Sequence, residues 1–172
     1  MNNNKAQPRS LNHPFPLLYD KHSSVLILGS FPSVKAVADG YYYANPHNRF
    51  YKVLSAIFKV DFVNVDWAEK QKLLLEHKIA LHDVIGYCKI VGSSDSKISD
   101  IKPSNLHQIF AHAKIGKVIC NGSKAYQEYI RFFFDVGIPV VQVPSTSPAN
   151  AKMSLDELVD RWRAALGGVL NL

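Results

Sequence analysis

The sequence predicts an α/β protein: a three-layer α/β/α sandwich around a short, mainly parallel sheet of four strands. Four short apolar runs alternate with helical patterns, and each run is apolar at successive positions, as in strands buried on both faces. Two runs end in loops rich in Ser and Pro, which is how such a sheet carries a ligand site at its carboxyl edge. The 172 residues and 47% hydrophobic content suit a single domain spanning residues 1–172.

The first elements follow from local patterns. The strand candidates are residues 25–28, 79–82, 117–120 and 139–143. Between the first two strands, apolar residues at helical spacing predict a helix near residues 50–58. Asp66, with Glu69 three positions later, predicts the start of a second helix over residues 67–77.

Three further helices are predicted in the second half of the chain. Pro103 is expected to open a helix that runs through Ala113. Another helix follows from Tyr126 and stops at Gly137. The last helix, residues 154–167, begins with a capping box formed by Ser154 and Glu157. Its expected core residues are Leu155, Leu158, Val159, Trp162 and Leu166.

Charge and composition narrow the function classes. The formal charge of +6 and the isoelectric point of about 9.3 suit a polyanionic partner. No apolar run approaches the roughly 20 residues of a membrane span, and the first residues lack the apolar core of a signal peptide. We therefore expect a soluble, cytoplasmic protein.

The sequence gives no sign of a cofactor. Cys88 and Cys120 are expected to be buried, reduced thiols, and two cysteines cannot supply the four ligands of an iron–sulfur cluster. Neither close metal-ligand spacing nor a glycine-rich nucleotide motif is present in the sequence. We expect a monomer that needs no metal and no organic cofactor.

Three motifs carry a family resemblance. GSFPS at residues 29–33, ANPHNRF at residues 44–50 and PSTSPANA at residues 144–151 resemble the motifs of the uracil-DNA glycosylase superfamily, specifically its DNA-deoxyinosine (hypoxanthine-DNA) glycosylase branch. The resemblance extends from about residue 13 to residue 153. It implies a uracil-DNA glycosylase-like fold and a damaged DNA, duplex or single-stranded, as the partner.

The resemblance also implies the reaction. Such an enzyme extrudes a deaminated base, here preferentially hypoxanthine, and hydrolyses its N-glycosidic bond. Because an oxocarbenium-like sugar forms as the base leaves, a positioned water and stabilised charge suffice. The alternatives are a uracil- or mismatch-specific glycosylase of the same superfamily, and a catalytically silent nucleic-acid-binding module.

The residue expected to position the catalytic water differs from that of the best-known relatives. Their first motif carries Asp or Asn between the glycine and the proline, where this chain has Phe31. The resemblance to the deoxyinosine branch implies that Asn48 positions the water instead, with Asn45 as the second choice. Asn48 also precedes a predicted helix, where Asn commonly caps the first turn. The two roles are compatible.

The predicted base-binding residues surround the first motif. Backbone N–H groups of Gly29, Ser30 and Phe31 are expected to donate to the base carbonyl. Phe50 is the expected stacking ring, although its helical spacing also fits a core residue, and Phe31 is the alternative. Asp83, at the end of the second strand, would accept from an N–H on the base edge. The plainer alternative is that Asp83 caps a turn or pairs with a lysine.

The remaining predictions concern the leaving base and the DNA backbone. Ser145 replaces the histidine that usually opens the second motif, and we expect its hydroxyl to assist the leaving base. The predicted DNA contacts are Pro32, Ser33, Arg49, Ser93, Ser94, Ser96, Thr146, Ser147 and Pro148. Asn121 and Gly122 are expected to be structural.

Overall fold

The computed structural model describes residues 7–91 and 98–172. The strands are β1 Arg9–Asn12, β2 Val25–Gly29, β3 Ile79–Asp83, β4 Ile85–Ile90, β5 Ile98–Pro103, β6 Lys117–Asn121 and β7 Val140–Val143. The helices are α1 Val34–Asp39, α2 Phe50–Phe58, α3 Trp67–Glu76, α4 His107–His112, α5 Ser123–Phe133 and α6 Leu155–Leu166. The predicted Ser93, Ser94 and Ser96 contacts lie outside the described residues.

The main sheet confirms the predicted architecture. Its strands run in the order β3-β2-β6-β7, and every neighbouring pair is parallel. Alternate residues of β2 point to opposite faces, so that Val25 and Ile27 pack in one cluster with α2, α3 and α6. Leu26 and Leu28 pack in a second cluster with α4 and α5. The result is a three-layer α/β/α sandwich.

A second sheet was not predicted. Strands β1, β4 and β5 form it in the order β1-β4-β5, and both pairs are antiparallel. Pro103 ends the outer strand β5, paired with Ile85, and does not open a helix as expected. An edge strand tolerates proline because its outer N–H groups need no sheet partner. The next helix, α4, begins only at His107.

Two of the helix starts were predicted correctly from local capping patterns. Asp66 caps α3 by accepting from the Glu69 N–H, and the capping box of Ser154 and Glu157 forms at α6, both as predicted. Leu155 is an exception to the predicted core, because it is 37% exposed. The short helix α1 was not predicted, and Ser33 caps it by accepting from the Ala36 N–H at 3.1 Å.

Two smaller expectations can be checked directly. Cys88 and Cys120 are both buried, as predicted, and burial raises the pKa of the Cys120 thiol to about 12. Across the described parts of the chain, no helix has the length and apolar character needed to cross a membrane.

Candidate active site

A cavity of about 490 Å³ opens at the carboxyl ends of β2, β3 and β6. The predicted site residues that line it are Gly29, Ser30, Phe31, Pro32, Ser33, Asn45, Asn48, Asp83, Ser145, Ser147 and Pro148. The sheet topology brings them together because parallel strands deliver their following loops to one edge. The cavity therefore joins the motifs that the sequence separates by more than a hundred residues.

Gly29 and Asp83 form the floor of the cavity. They are paired neighbours at the ends of β2 and β3, and Asp83 is only 4% exposed. A Cβ atom on Gly29 would lie 2.2 Å from Asp83 Oδ1, so any side chain there would displace the carboxylate. Glycine is required here for close approach.

The partner of Asp83 is a histidine, not the lysine that the sequence offered as the plainer alternative. His13 Nε2 lies 2.8 Å from Asp83 Oδ2, and both side chains are 5% exposed. The two residues are separated by 70 positions in the chain, and the sequence around His13 does not predict the contact.

The expected stacking ring is wrong. Phe50 is fully buried in the core, where it contacts Tyr51 and Trp162. Tyr43 lines the cavity and covers Phe50, with 4.1 Å between the ring centroids. Tyr43 also has a φ of 55°, a left-handed conformation that is unfavourable for a bulky residue and recurs at functional sites. Phe31, the alternative ring of the prediction, lines the cavity as well, so Phe31 and Tyr43 both border the space that a base would enter.

The two candidate water-positioning residues both reach the cavity. Asn48 Oδ1 accepts from the Phe50 N–H at 3.0 Å, so this side chain does satisfy a donor at the start of α2. Asn45 Oδ1 accepts from the His47 N–H at 3.0 Å. An amide oxygen has two lone pairs, so either side chain can accept a second hydrogen from a water.

Two predicted DNA contacts are corrected by the loop that follows β7. Thr146 is fully buried and is tied to Asn121, whose amide donates to its hydroxyl at 2.9 Å and accepts from its N–H at 3.0 Å. Arg49 donates through its guanidinium to the carbonyls of Asn150 and Met153. In the structure both side chains hold the loop in place, Thr146 from the buried interior and Arg49 from a half-buried position.

The serine hydroxyls of this loop remain able to donate. Ser145 Oγ accepts from the Ser147 N–H at 3.1 Å, and Ser147 Oγ accepts from the Ala149 N–H at 3.2 Å. Each hydroxyl hydrogen is thus available for a further acceptor in the cavity. Asn121, as predicted, has a structural role.

The buried groups around the floor are held neutral. Burial, and to a smaller extent the nearby His13, lower the pKa of His82 to about 3. Burial and then the charge of Asp83 raise the pKa of Tyr42 and of Tyr43 well above the usual range. Among residues 7–91 and 98–172, no group of three or more His, Cys, Asp or Glu residues is arranged to hold a metal ion.

Comparison with known proteins agrees with this geometry. Residues 16–166 match the family model of the uracil DNA glycosylase superfamily. The chain belongs to this superfamily. A hypoxanthine DNA glycosylase from Methanosarcina acetivorans is 32% identical over 151 residues, which is 87% of this chain and 94% of the relative. A hypoxanthine DNA glycosylase from Methanosarcina barkeri is 28% identical, over 88% of this chain and 95% of the relative.

A solved structure supports the superfamily fold. The solution NMR structure of a candidate uracil DNA glycosylase from Methanosarcina acetivorans superimposes with a TM-score of 0.77. It is 30% identical, and the match covers 88% of this chain and 94% of that chain.

Proposed function

We infer that this protein is a monofunctional DNA glycosylase, formed by the single domain of residues 1–172, that removes deaminated bases from DNA and prefers hypoxanthine. The observation that carries the preference is the Asp83 carboxylate on the cavity floor, bordered by Gly29 and held by His13. An ionised carboxylate only accepts hydrogen bonds, and hypoxanthine offers it the N1–H. The cavity volume of about 490 Å³ lies in the range of small-ligand sites.

The proposed reaction uses the cavity residues in a fixed order. The base leaves the duplex and stacks on Tyr43, and the backbone N–H groups of the turn at residues 29–31 donate to its carbonyl. Asn48 orients a water, whose oxygen bonds to C1′ of the sugar as the bond to the base nitrogen breaks. The bonding electrons leave with the base, the Ser145 hydroxyl donates to the negative charge that forms on it, and the proton that the water loses then neutralises the departed base.

The same floor explains which bases should be refused. Adenine presents an N1 lone pair to the Asp83 carboxylate, so the two groups repel each other. Guanine shares the N1–H, and its amino group is a further donor, so its refusal depends on the space beside Asp83 and not on the charge of the carboxylate. Uracil carries an N3–H that Asp83 can accept, and for this reason a uracil-specific glycosylase is the second candidate function.

Among the residues that the structure describes, a single lysine lies on the cavity wall, and its ion pair argues for a monofunctional enzyme. Lys124 lines the cavity, and its ammonium lies 2.8 Å from the buried Glu128 carboxylate. An ammonium held in an ion pair is not a free amine, so it cannot attack the sugar to form a covalent imine. We propose that water is the nucleophile and that the product is an abasic site in an intact strand.

We further propose that the protein acts as a monomer in the cytoplasm and without a metal or an organic cofactor. Ser145 and Ser147, in the loop after β7, and Ser33 on the cavity lining are proposed to contact phosphates.

The test is a panel of labelled duplexes containing deoxyinosine, deoxyuridine, deoxyxanthosine or an ordinary base. We expect the deoxyinosine strand to break fastest, and only after treatment with alkali. A break without alkali, or a complex trapped by borohydride, would contradict the monofunctional reaction. Binding without any excision would leave the silent DNA-binding module as the function.

The preference itself is tested at Asp83. Asp83→Asn supplies an amide that can donate to N1 of adenine, so the ratio of deoxyinosine to deoxyadenosine excision should fall by at least about tenfold, the equivalent of one hydrogen bond to a charged group. Affinity for an abasic duplex should change little. Asp160→Asn, on the exposed face of α6, is the matched control. An equal loss on every base would reduce Asp83 to a structural residue.

A further inference from the structure

The small sheet fixes the backbone of His13 beside the active-site cavity. Strand β1 pairs with β4, and directly after β1 the His13 N–H donates to the Gly86 carbonyl at 2.8 Å. Gly86 belongs to β4, which begins two residues after Asp83. The position of His13 relative to Asp83 therefore depends on a backbone hydrogen bond within the small sheet.

The His13 ring is enclosed by other rings. His82 lies 4.2 Å away between centroids, and Phe31 meets the ring edge-on at 5.9 Å. Phe15 contacts another side at 5.7 Å. Rings on several sides fix the plane of the imidazole, and the 2.8 Å contact from Nε2 then fixes Asp83 Oδ2.

The direction of the hydrogen bond follows from the partners. His13 Nδ1 lies 3.2 Å from the Phe15 N–H and 3.0 Å from the Phe15 carbonyl, so Nδ1 is satisfied by the backbone. An ionised Asp83 can only accept, so Nε2 carries the hydrogen that the two residues share. Oδ1, the other oxygen, borders Gly29 at the cavity.

We propose that His13 is the positioning residue that keeps Asp83 a hydrogen-bond acceptor for the extruded base and so separates hypoxanthine from adenine. The inference rests on the proposed function. Without this donor nothing fixes Oδ2, and the carboxylate can rotate so that Oδ1 no longer faces the base. The acceptor for N1–H would then be lost, and with it the distinction between hypoxanthine and adenine.

No other side chain in the described ranges makes a hydrogen bond to the Asp83 carboxylate. His82 from β3 donates its Nδ1–H to the Tyr42 hydroxyl, which in turn donates to the Pro16 carbonyl. The Tyr43 hydroxyl borders Gly29, and Lys124 on the cavity wall pairs with Glu128. Of these groups, His13 is the one that holds the carboxylate oxygen at hydrogen-bonding distance.

The experiment compares His13→Gln with His13→Met. The two side chains have the same length and both lose the ring contacts, but only glutamine keeps an N–H donor near the position of Nε2. His22→Met, an exposed histidine before β2, is the control for the substitution itself. For each protein we would measure single-turnover excision of deoxyinosine and deoxyadenosine, affinity for an abasic duplex, and a melting curve.

We expect His13→Gln to excise deoxyinosine within about fivefold of the wild type and to keep its preference over deoxyadenosine. His13→Met should lose about 10²-fold in the rate, the usual effect of removing one preorganised donor from an active site. Its preference should fall at least tenfold, while abasic DNA binding stays unchanged. A merely structural residue would instead lower the melting temperature in both variants without changing the preference.

Two results from the variants would overturn the inference. The first is a folded His13→Met variant that matches His13→Gln in rate and preference. The second, which decides if the methionine variant does not fold, is loss of the preference in a folded His13→Gln variant.

The wild-type protein separates this inference from the proposed function. If it excises uracil instead of hypoxanthine, only the proposed substrate is contradicted. The two variants are then compared on uracil and cytosine, whose N3 lone pair takes the place of adenine N1. No excision by the wild type on any duplex would overturn the proposed function and this inference together.

Discussion

Asn48 lies where the cavity meets helix α2, and its amide oxygen accepts from the Phe50 N–H at 3.0 Å. Asn48 precedes the N-cap residue Arg49, and loss of such a side-chain hydrogen bond at a helix start costs about 0.5–2 kcal/mol of stability, whereas loss of a positioned catalytic group costs about 10²–10³ in rate. Asp and Ser also cap, so Asn48→Asp and Asn48→Ser should fold normally. We expect Asn48→Ser to lose most single-turnover excision of deoxyinosine, and Asn48→Asp to keep part of it through its carboxylate oxygen.

Melting curves of the same variants provide the control for Asn48. Asn48→Ala removes both roles, so it should lose stability and rate together. If Asn48→Ser melts like the wild type and cuts within a few-fold of its rate, Asn48 is a cap alone. The water would then be assigned to Asn45, which lines the same cavity.

His82 makes the stability depend on pH in a defined direction. Its pKa is lowered from 6.5 to about 3 in the folded protein, mainly by burial. Between these values the unfolded chain binds a proton that the folded protein does not, so the stability from His82 is complete above pH 6.5 and is lost as the pH falls towards 3. Urea unfolding should show a loss of up to about 1.4 kcal/mol per pH unit from this group.

His82→Asn isolates that effect, because the amide can replace the donor to Tyr42 but does not titrate. The other titrating groups are shared, so the wild-type advantage over the variant should shrink below pH 6.5. If the free energies of unfolding of the two proteins change in parallel with pH, the prediction is wrong, because His82 would then gain its proton at the same pH in the folded and unfolded states.

Particular residues show what the sequence could predict of the site. Asp83 and Asn48 were found because each follows or precedes a recognisable element within a motif, and parallel strands must gather those ends at one edge. His13 could not be found, because its contact with Asp83 spans 70 positions and depends on the small sheet. The sequence indicated Phe50 and not Tyr43 as the stacking ring, because an apolar ring in the motif fits base stacking and core packing equally well. Only the burial of Phe50 in the structure distinguishes these two roles.

At the scale of elements, Arg49 connects α2 to the loop before α6. Its two guanidinium nitrogens donate to the carbonyls of Asn150 and Met153. A lysine at this position keeps the positive charge, but its single ammonium can donate well to only one of the two carbonyls. The lost hydrogen bond to a charged group is worth about 1.5–3 kcal/mol. Arg49→Lys should therefore speed hydrogen exchange of the amides in residues 145–153 and slow excision. Arg163→Lys, on the exposed face of α6, should leave both unchanged. Unchanged exchange in Arg49→Lys would argue that Arg49 is free to contact phosphate.

The small sheet escaped prediction for reasons that lie in its own residues. Strands β3 and β4 are separated by one residue, so their apolar positions look like one run along the chain. Strand β5 has mostly exposed residues and ends in proline, which made residues near Pro103 resemble a helix start. The main sheet was predictable because its strands are buried on both faces, whereas a half-exposed edge strand lacks that signal.

Across the whole molecule, the two sheets meet at the proposed base site. The parallel sheet supplies Gly29, Asp83 and Asn121 at its carboxyl edge, and the antiparallel sheet supplies His13 from the end of β1. The loop after β7 closes the cavity from the other side, fixed by Arg49 and by the Trp162 N–H, which donates to the Pro144 carbonyl. Substitutions in β1 should thus affect base choice although no residue of β1 lines the cavity.

The net charge of +6 should make DNA binding steeply salt-dependent, since each phosphate contact releases counterions and adds about 0.9 to the slope of log affinity against log salt. Lys52 is an exposed residue of α2, one turn beyond Asn48, and we expect it to contact a phosphate of the bound DNA. Lys21 precedes β2 and so lies at the amino edge of the sheet, opposite the cavity. We expect Lys52→Ala to lower the slope by about one and to weaken binding to damaged and undamaged duplexes alike, whereas Lys21→Ala should change neither. Fluorescence anisotropy titrations over a range of salt concentrations would measure both slopes. Equal slopes for the two variants would mean that DNA does not approach the carboxyl edge of the sheet through the face that carries Lys52.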